Sequence, residues 1–471
     1  MGHKIISPIK IKQGIQRAGR LMRALLEGFR NRERPLPPFL LERYVRACQE
    51  EREILLQSAC RFGTPQYFFD EPALARQIAC FQSAFLPHLP AYRVFYAIKS
   101  NPFRGICTRV LSEGLGLDAS SGHELHAALA LGCTRALFSG PGKTDAELRL
   151  AVRNRERVTL LMDSPGEMRR LHGILKQQGV PGKPLRAGIR VHGRHQGIWN
   201  KFGISLNELS ALLKEASELG GIDLCGIQFH ASWNLDPEAQ IRMIEEIGGA
   251  LRGQLSEERL RALKFIDIGG GFWPEQGEWL NAQNTFSGRL IQCLDPDYAV
   301  PLKHYYRPAK SLHYFAKKIS GVLRSQGPPL SNLEVWMEPG RWLCTPAMHI
   351  LVRVVDKKSP LTAITDGGIH LMGWERPLTE FIPVINLTRP GTDEFALNTF
   401  GSLCTPHDVW GGSVFGSGIE TGDILMIPDQ GAYTYTLRQS FIKPRGRVVG
   451  YDGHGLEELE SEESPAVQTS Q

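Results

Sequence analysis

The sequence lacks the features that mark several common protein classes. Its nine cysteines are scattered and form no CxxC pair, which argues against a zinc site or a disulfide framework. No run of 18 apolar residues occurs, so no transmembrane helix is expected. The N-terminus has no apolar stretch before a small-residue cleavage site, which disfavours secretion. These absences predict a cytoplasmic protein with reduced thiols and no metal site.

An excess of charge of one sign is also missing from most of the chain. The formal net charge is only +6 over 471 residues. The one basic concentration lies in residues 1–34, which hold nine Lys or Arg against two Glu. Nucleic-acid binding needs a basic face on the folded domain, so no nucleic-acid partner is predicted.

The basic N-terminal segment carries apolar residues at helical spacing, from Ile15 to Phe29. This pattern predicts a basic amphipathic helix. Such a helix could meet a membrane surface or an acidic partner, or act as a targeting segment. We favour the alternative in which it packs on its own protein.

Short apolar strands alternate with amphipathic stretches over residues 85–325. Such alternation indicates a parallel sheet with crossover helices, and seven or eight units in about 250 residues match the size of a TIM barrel. A doubly wound open sheet is the alternative. The predicted strands are 92–98, 115–119, 136–139, 159–162, 186–191, 224–230 and 264–268.

The rest of the chain divides into four parts. Residues 1–60 form the helical extension, with a second helix near 40–59, and residues 61–84 hold a strand expected to join a β-domain. Residues 326–450 form that second, all-β domain, and the acidic residues 451–471 are predicted to be disordered. The strands predicted for the β-domain are 351–355, 361–365, 384–387, 424–427 and 433–437.

Several reactive residues follow predicted barrel strands, where the catalytic groups of a parallel barrel gather. Lys99, Asp118 and His230 each end or follow a strand, and three consecutive glycines occupy 269–271. Glycines let backbone N–H groups approach a phosphate. Taken singly, each has an ordinary explanation as a solvated strand end, a satisfied polar group or a turn.

Six short strings occur in one order along residues 63–445. They are Tyr96-Ala-Ile-Lys99-Ser-Asn101, Asp118-Ala-Ser-Ser-Gly-His-Glu124, Lys201-Phe-Gly203, Asp267-Ile-Gly-Gly-Gly-Phe272, Glu338-Pro-Gly-Arg341 and Gly431-Ala-Tyr-Thr434. Together these strings resemble the fold type III pyridoxal-phosphate decarboxylases, the family of ornithine, diaminopimelate and biosynthetic arginine decarboxylases. The resemblance implies an alanine-racemase-like TIM (β/α)8 barrel with a C-terminal β-domain, pyridoxal 5'-phosphate as cofactor, an amino-acid substrate and a head-to-tail homodimer with shared active sites.

The resemblance implies a role for each matching residue. Lys99 would carry the cofactor as an imine, which a lysine amine forms reversibly with an aldehyde. His230 would stack on the cofactor ring, and Glu338 would face the pyridine nitrogen and favour its charged form. Cys404, lent by the partner subunit, would return a proton to Cα, although a free cysteine is commonly a small buried hydrophobe. The phosphate would be held by Gly269, Gly270, Gly271, Arg341 and Tyr433, and the supporting polar network would be Asp118, Glu124 and Arg190.

The match departs from the family near the substrate. Thr405 follows the catalytic cysteine, where ornithine and diaminopimelate decarboxylases carry an acidic residue. Trp233 stands where the family commonly has a phosphate-binding serine, and Ser232 lies one position earlier. A neutral hydroxyl binds a distal ammonium poorly, so ornithine, lysine and diaminopimelate each fit this position badly.

A segment beginning at Asp366 resembles the diaminopimelate-type loop, whose arginine binds a distal carboxylate. Arg376 would take that part through its bidentate fork, with an ordinary surface arginine as an equal alternative. Asp408 would compensate for Thr405 if it pointed inward. The predicted substrate therefore has a distal carboxylate or a larger appended group, as in a diaminopimelate-like compound or an intermediate of siderophore or other secondary metabolism.

Two other functions stay open. An amino-acid racemase could use the same barrel, but such racemases usually set an arginine against the pyridine nitrogen and use a tyrosine base. Glu338 and Cys404 argue against that. A catalytically inactive regulatory relative is the second alternative, and the intact Lys99, Glu338, Arg341 and Cys404 argue against it.

Overall fold

The computed structural model describes residues 33–178, 183–193, 201–294, 302–374 and 380–462. The predicted basic helix lies outside these ranges. The stretch predicted as one helix near 40–59 forms two helices. A further helix follows the first buried strand, and Asp70 caps its N-terminus by accepting a hydrogen bond from the backbone of Ala73 at 2.8 Å. The first elements are β1 (Arg34–Pro35), α1 (Pro38–Glu50), α2 (Arg52–Phe62), β2 (Gln66–Asp70) and α3 (Glu71–Phe85).

Eight parallel strands close into a barrel, which confirms the predicted fold class. All strands in the following set belong to the barrel ring except β8, β11 and β12. They are β3 (Tyr92–Ala97), β4 (Gly116–Ala119), β5 (Ala136–Phe138), β6 (Val158–Met162), β7 (Leu185–His192), β8 (Ile204–Ser205), β9 (Ile222–Gln228), β10 (Phe265–Asp267), β11 (Glu278–Asn281), β12 (His304–Arg307) and β13 (Glu334–Met337).

Helices return the chain between the barrel strands. Thr144 and Glu147 form a capping box that begins one of them, as their spacing predicts. The helices are α4 (Arg104–Ser112), α5 (Gly122–Ala130), α6 (Asp145–Arg153), α7 (Pro165–Gln178), α8 (Leu209–Glu218), α9 (Glu238–Gln254), α10 (Glu257–Ala262), α11 (Phe286–Leu294), α12 (Leu312–Gln326) and α13 (Arg341–Cys344). The N-terminal α3 packs between α4 and α12 and completes the helical layer. Among the residues that the structure describes, no helix is both long and apolar enough to span a membrane.

The barrel extends beyond residue 325, its predicted end. β13 is the eighth strand and pairs with both β10 and β3. Between β10 and β13 the chain inserts β11 and β12, which pair with β1 in a separate three-stranded sheet. This insertion interrupts the strand–helix alternation on which the predicted boundary depended. The other domain limits, at 60, 84 and 450, stay predictions.

The second domain is a β-structure, as the fold prediction requires. β14, β15, β17, β18, β16 and β19 pair in a closed cycle. The other edge of β14 pairs with β2, which in turn pairs with β20. The strands are β14 (Met348–Ser359), β15 (Thr362–Thr365), β16 (Ile385–Asn386), β17 (Glu394–Phe400), β18 (Val409–Phe415), β19 (Ile424–Ile427), β20 (Arg447–Tyr451) and β21 (Leu456–Glu460).

Two predictions for this domain are wrong. The segment 433–437 is no strand, since Tyr433 has a φ of 56° and Tyr435–Leu437 is a 3-10 turn. Its amides serve another purpose, because Tyr433 donates to the carbonyl of Ser100. Residues 456–460 of the acidic tail are ordered, because β21 pairs with β20.

The barrel interior changes character along its axis. At one level large side chains fill it, with the rings of Phe265 and Trp336 stacked at 3.7 Å. Toward the C-terminal ends of the strands, Asp118, Gln228 and Asp267 are fully buried polar groups. Buried polar groups need partners, so this end of the barrel is where a site is to be sought.

Candidate active site

Lys99 lies in a 3-10 turn, Ile98–Ser100, directly after β3. Its Nζ is 3.5 Å from Oδ2 of Asp118, and about a third of the side chain (35%) is exposed. Burial alone would lower the pKa of Lys99, but the carboxylates of Asp118 and Glu338 outweigh it and raise that pKa above its ordinary value. The amine is therefore reachable and held beside a buried acid.

Three buried acids, Asp118, Asp267 and Glu338, lie at or directly after the ends of three barrel strands. Burial and the charge of Glu338 raise the pKa of Asp118 to about 7. The same two causes raise the pKa of Asp267 well above its ordinary value. Burial would also raise the pKa of Glu338, but its hydrogen bond with His230 and the charge of Lys99 lower it to about 2. Glu338 is therefore the acid of the three that holds its negative charge most firmly.

His230 links Glu338 to the glycine turn. Its Nδ1 is 3.4 Å from Oε2 of Glu338 and 3.3 Å from the backbone nitrogen of Gly270. Its Nε2 is 3.1 Å from Oγ of Ser232. The backbone N–H of Gly270 donates to Nδ1 in one tautomer of the ring, and in the other tautomer Nδ1 carries the proton and faces Glu338. Burial lowers the pKa of His230, so the ring is neutral at pH 7.

The three glycines leave a turn without side chains. Gly269 and Gly271 have φ values of 67° and 78°, a region that other residues rarely adopt. A Cβ atom on Gly270 would lie 2.2 Å from the carbonyl oxygen of Glu338, and one on Gly271 would lie 2.1 Å from that of Ala231. A ligand can therefore approach the backbone of this turn closely. The N–H groups of Gly269 and Gly270 already donate to Asp267 and His230.

Arg341 lies three residues after Glu338, at the start of α13, and its guanidinium contacts two aromatic rings. Its guanidinium carbon is 4.5 Å from the ring centroid of Trp273 and 5.0 Å from that of Tyr433. One of its nitrogens, Nη1, is 3.8 Å from Oε1 of Glu380. The structure thus brings together Arg341 and Tyr433, two of the predicted phosphate ligands.

Glu124 and Arg190 lie around the same amine. Glu124 accepts a hydrogen bond from the backbone of Ser120 at 2.6 Å, while burial raises its pKa. The guanidinium of Arg190 lies 4.4 Å from the ring centroid of Phe202, and its positive charge helps to lower the pKa of Glu338. Both predicted network residues therefore act on the charges of the site.

The predicted catalytic Cys404 and two predicted substrate-binding residues, Thr405 and Asp408, lie in one segment of the β-domain. Cys404 is exposed on the loop between β17 and β18. Asp408 points inward, but its oxygens accept backbone hydrogen bonds from Ile369 and Leu403, each at 2.7 Å. It is 2% exposed. These contacts indicate that Asp408 stabilises the loop that contains Cys404 and Thr405, and that it does not bind a distal amine.

Both carboxylate oxygens of Asp366 also accept hydrogen bonds from within the protein. Its Oδ1 accepts from the backbone of Arg353 at 2.9 Å, and its Oδ2 accepts from the hydroxyl of Thr64 at 2.5 Å. Arg376 lies outside the described residues. The carboxylates of Asp366 and Asp408 are therefore both engaged in holding neighbouring chain segments.

Sequence reasoning missed three residues of the polar cluster. Gln228 donates to Oε1 of Glu338 at 3.2 Å, Ser139 donates to Oδ1 of Asp118 at 2.5 Å, and Asp267 accepts from the backbone of Gly269 at 2.9 Å. Strand side chains alternate between faces. Gln228 precedes His230 by two positions and so shares its face, and this spacing is the pattern that could have revealed it.

Comparison with known families agrees with this geometry. A family model described as the pyridoxal-binding domain of pyridoxal-dependent decarboxylases matches residues 74–345, more than half of the chain. The chain therefore belongs to the pyridoxal-dependent decarboxylase family. It is an enzyme, a carboxy-lyase that uses pyridoxal 5'-phosphate.

Individual relatives are similar over most of their length. A diaminopimelate decarboxylase of Methanothermobacter thermautotrophicus is 26% identical over 422 residues, covering 84% of this chain and 88% of the relative. The 2-[(L-alanin-3-ylcarbamoyl)methyl]-2-hydroxybutanedioate decarboxylase of Staphylococcus aureus is 24% identical over 365 residues, covering 73% and 84%. The solved diaminopimelate decarboxylase of M. jannaschii shares the fold, with a TM-score of 0.72 at 21% identity over 87% of this chain and 92% of that chain.

Proposed function

We propose that this enzyme decarboxylates an amino acid that carries a distal carboxylate, with Lys99 as the residue that binds the cofactor aldehyde. One observation carries the proposal. A reachable amine, a firmly ionised carboxylate at Glu338 and a glycine turn without side chains come from separate strand ends and lie around one space. An aldehyde, a pyridine nitrogen and a phosphate call for these three partners.

The residues present fit pyridoxal 5'-phosphate. A Cβ atom at Gly270 or Gly271 would collide with the backbone carbonyl of Glu338 or Ala231, so only glycine fits this turn, whose bare backbone a phosphate would approach. Arg341 and the phenol of Tyr433 would add a charge and a hydrogen bond. His230, whose ring nitrogens already bond within the site, would lie against the cofactor ring.

Each group has a separate chemical task. When bound, the cofactor accepts the electron density that loss of carbon dioxide leaves on the substrate Cα. Glu338, with a pKa of about 2, keeps a proton on the pyridine nitrogen. Asp118, 3.5 Å from Nζ of Lys99 and with a pKa of about 7, takes up a proton when that amine loses one. Cys404 Sγ donates a proton to Cα.

The proton donor requires a second chain. Cys404 is exposed, and the loop contacts described for it are with its own domain. We therefore propose a head-to-tail homodimer in which Cys404 of the partner subunit completes each site. The location in the cytoplasm stays a prediction from the scattered cysteines.

The substrate proposal is supported by the two kinds of relative. One acts on diaminopimelate, and the other acts on a compound whose name contains an alanine part joined to a hydroxybutanedioate. Both substrates carry carboxylates away from the reacting amino acid. Thr405 offers no charge to a distal ammonium, which also disfavours plain lysine or ornithine.

A panel of substrates tests this proposal. Carbon dioxide release is measured with diaminopimelate, the S. aureus compound, lysine, ornithine and arginine at equal concentrations. We expect a carboxylated substrate to be turned over fastest. A preference for lysine or ornithine would contradict the distal-carboxylate proposal, and interconversion of enantiomers without gas would indicate a racemase.

Arg376 is tested separately, because its role stays a prediction. Arg376→Gln should raise KM for the carboxylated substrate about tenfold or more, as loss of a bidentate contact does. Arg242→Gln is the matched control, because Arg242 is exposed on α9. Equal KM values in the two variants would remove Arg376 from the site.

A further inference from the structure

The turn that carries Lys99 is held by a loop from the β-domain, residues 428–438. The carbonyl oxygen of Ser100 accepts from the backbone of Tyr433 at 2.8 Å and from the hydroxyl of Thr436 at 3.1 Å. The side-chain amide of Asn101 donates to the carbonyl of Gly431 at 2.8 Å. Three hydrogen bonds thus join this loop to the two residues that follow the lysine.

The C-terminal strand β21 fastens one end of the 428–438 loop. The phenol of Tyr435 lies 2.6 Å and 2.7 Å from the two carboxylate oxygens of Glu460 and donates to them. Arg438 donates to the same carboxylate at 3.2 Å, and its guanidinium carbon stacks 3.4 Å from the centroid of the Tyr435 ring. Hydrogen bonds to a charged group are about twice as strong as neutral ones.

The ring of Tyr435 carries this restraint to the barrel. It packs edge-on at 5.5 Å against Phe103, which lies two residues beyond Asn101, and at 5.7 Å against Tyr67 of β2. Burial and Glu460 raise the pKa of Tyr435, so the phenol keeps the proton it donates. The phenol therefore serves as a hydrogen-bond donor at neutral pH.

The N-terminal helix α1 fastens the other end of the same loop. The phenol of Tyr44 donates to Oδ2 of Asp429 at 2.8 Å. Asp429 has a φ of 58°, a strained value for a residue that is not glycine. Its backbone nitrogen donates to Nδ1 of His349 at 3.1 Å. These bonds hold a conformation that the free loop would leave.

We propose that Tyr44 and Glu460 are positioning residues for the cofactor lysine. Two phenol–carboxylate hydrogen bonds, made by the segments that precede the barrel and follow the β-domain, fix the 428–438 loop. Through Ser100 and Asn101 the loop fixes the Lys99 turn. A misplacement of about 1 Å at a reacting group can cost roughly a hundredfold in rate. This inference rests on the proposed role of Lys99.

The test uses the full-length holoenzyme and three conservative variants, Glu460→Gln, Tyr435→Phe and Tyr44→Phe. Glu457→Gln is the matched control, since Glu457 is exposed on the same strand. We expect kcat to fall about tenfold in Glu460→Gln and Tyr435→Phe with KM within about twofold. Cofactor release, followed by the loss of visible absorbance during dialysis, should quicken by about the same factor.

A second readout does not depend on catalysis. Hydrogen exchange of the cofactor-free protein is measured in peptides covering residues 97–104 and 428–438. We expect faster exchange in both peptides for each phenol or carboxylate variant, and unchanged exchange in Glu457→Gln. Tyr44→Phe tests the loop without altering β21, should either change near the strand prevent folding.

Two results would overturn the proposal in distinguishable ways. Borohydride reduction of the wild type that traps no cofactor on Lys99 would overturn the proposed function and this inference together. Trapping in the wild type, combined with variants that match it in kcat, cofactor release and exchange, would overturn only the positioning role.

Discussion

The acidic residues at the strand ends of the barrel and those in the 400–409 loop of the β-domain have different contacts. At the barrel, Asp118 and Glu338 face the amine of Lys99 and set its charge. In the loop, both carboxylate oxygens of Asp408 accept hydrogen bonds from the backbone N–H groups of Ile369 and Leu403, and Cys404 is exposed. This difference indicates that a single chain forms the cofactor-binding part of the site. The 400–409 loop instead has a fixed shape and an exposed cysteine, which suits a contact with the partner subunit.

Of the variants that test this comparison, Lys99→Arg should cause the largest loss of activity. Arginine keeps the positive charge beside Asp118 but has no amine that can form an imine. We expect no measurable carbon dioxide release and no cofactor retained after borohydride reduction and denaturation. Lys143→Arg, which alters a buried lysine bonded to Glu167, serves as the control for cofactor trapping. Substantial turnover by Lys99→Arg would contradict the assignment.

Glu338→Gln should lower kcat about a hundredfold, as does the loss of one preorganised electrostatic contact. The amide keeps the size of the side chain but removes the charge that holds a proton on the pyridine nitrogen. Turnover under saturating substrate measures the effect. Glu334→Gln is the control, since Glu334 pairs with Arg93 at the other end of β13 at 2.8 Å. Equal kcat values for the two variants would count against the role of Glu338.

Asp408→Asn should affect the β-domain loop and leave the barrel site intact. The amide keeps one acceptor and loses the other, so one backbone N–H of the loop is left unsatisfied at a cost of about 1–3 kcal/mol. We expect kcat to fall at most about tenfold, with cofactor affinity unchanged. A variant that loses its cofactor would show that the two regions are coupled within one chain.

The smallest effect that we predict is a change in the pH dependence of stability in Asp118→Asn, measured apart from any loss of turnover. The folded-state pKa of Asp118, about 7, lies above its ordinary 3.8. The folded protein therefore binds more protons than the unfolded chain between these values, and its free energy of unfolding falls as pH rises from about 4 to about 7. Denaturant titrations at several pH values should show a shallower fall in the variant. An identical slope would contradict the assigned shift.

The barrel half could be predicted because its residues are marked by short local strings. Lys99, Asp118, His230, the three glycines and Glu338 each end or follow a strand, and the barrel topology does the rest. Residues whose partners are remote in sequence could not be placed. Tyr433 was assigned to a strand because its neighbours are β-formers, whereas its amide bonds to Ser100.

The β-domain loop illustrates the same limit. The role of Asp408 depends on Ile369 and Leu403, and nothing local to residue 408 predicts those contacts. Glu460 lies in a tail whose composition favours disorder, yet its ion pair with Arg438 and the pairing of β21 keep it ordered. The eighth strand was missed because an inserted sheet separates it from the seventh.

Mixing two inactive variants tests the central claim most directly. Lys99→Arg lacks the cofactor amine, and Cys404→Ser should be slower by about a hundredfold or more because its proton donor is weakened. The two proteins are mixed in equal amounts, dissociated with mild denaturant and reassociated, and carbon dioxide release is measured. If each site uses Cys404 of the partner subunit, about half of the dimers are hybrids with one intact site, and roughly a quarter of the wild-type rate returns. A mixture no faster than its separate components would contradict a shared active site.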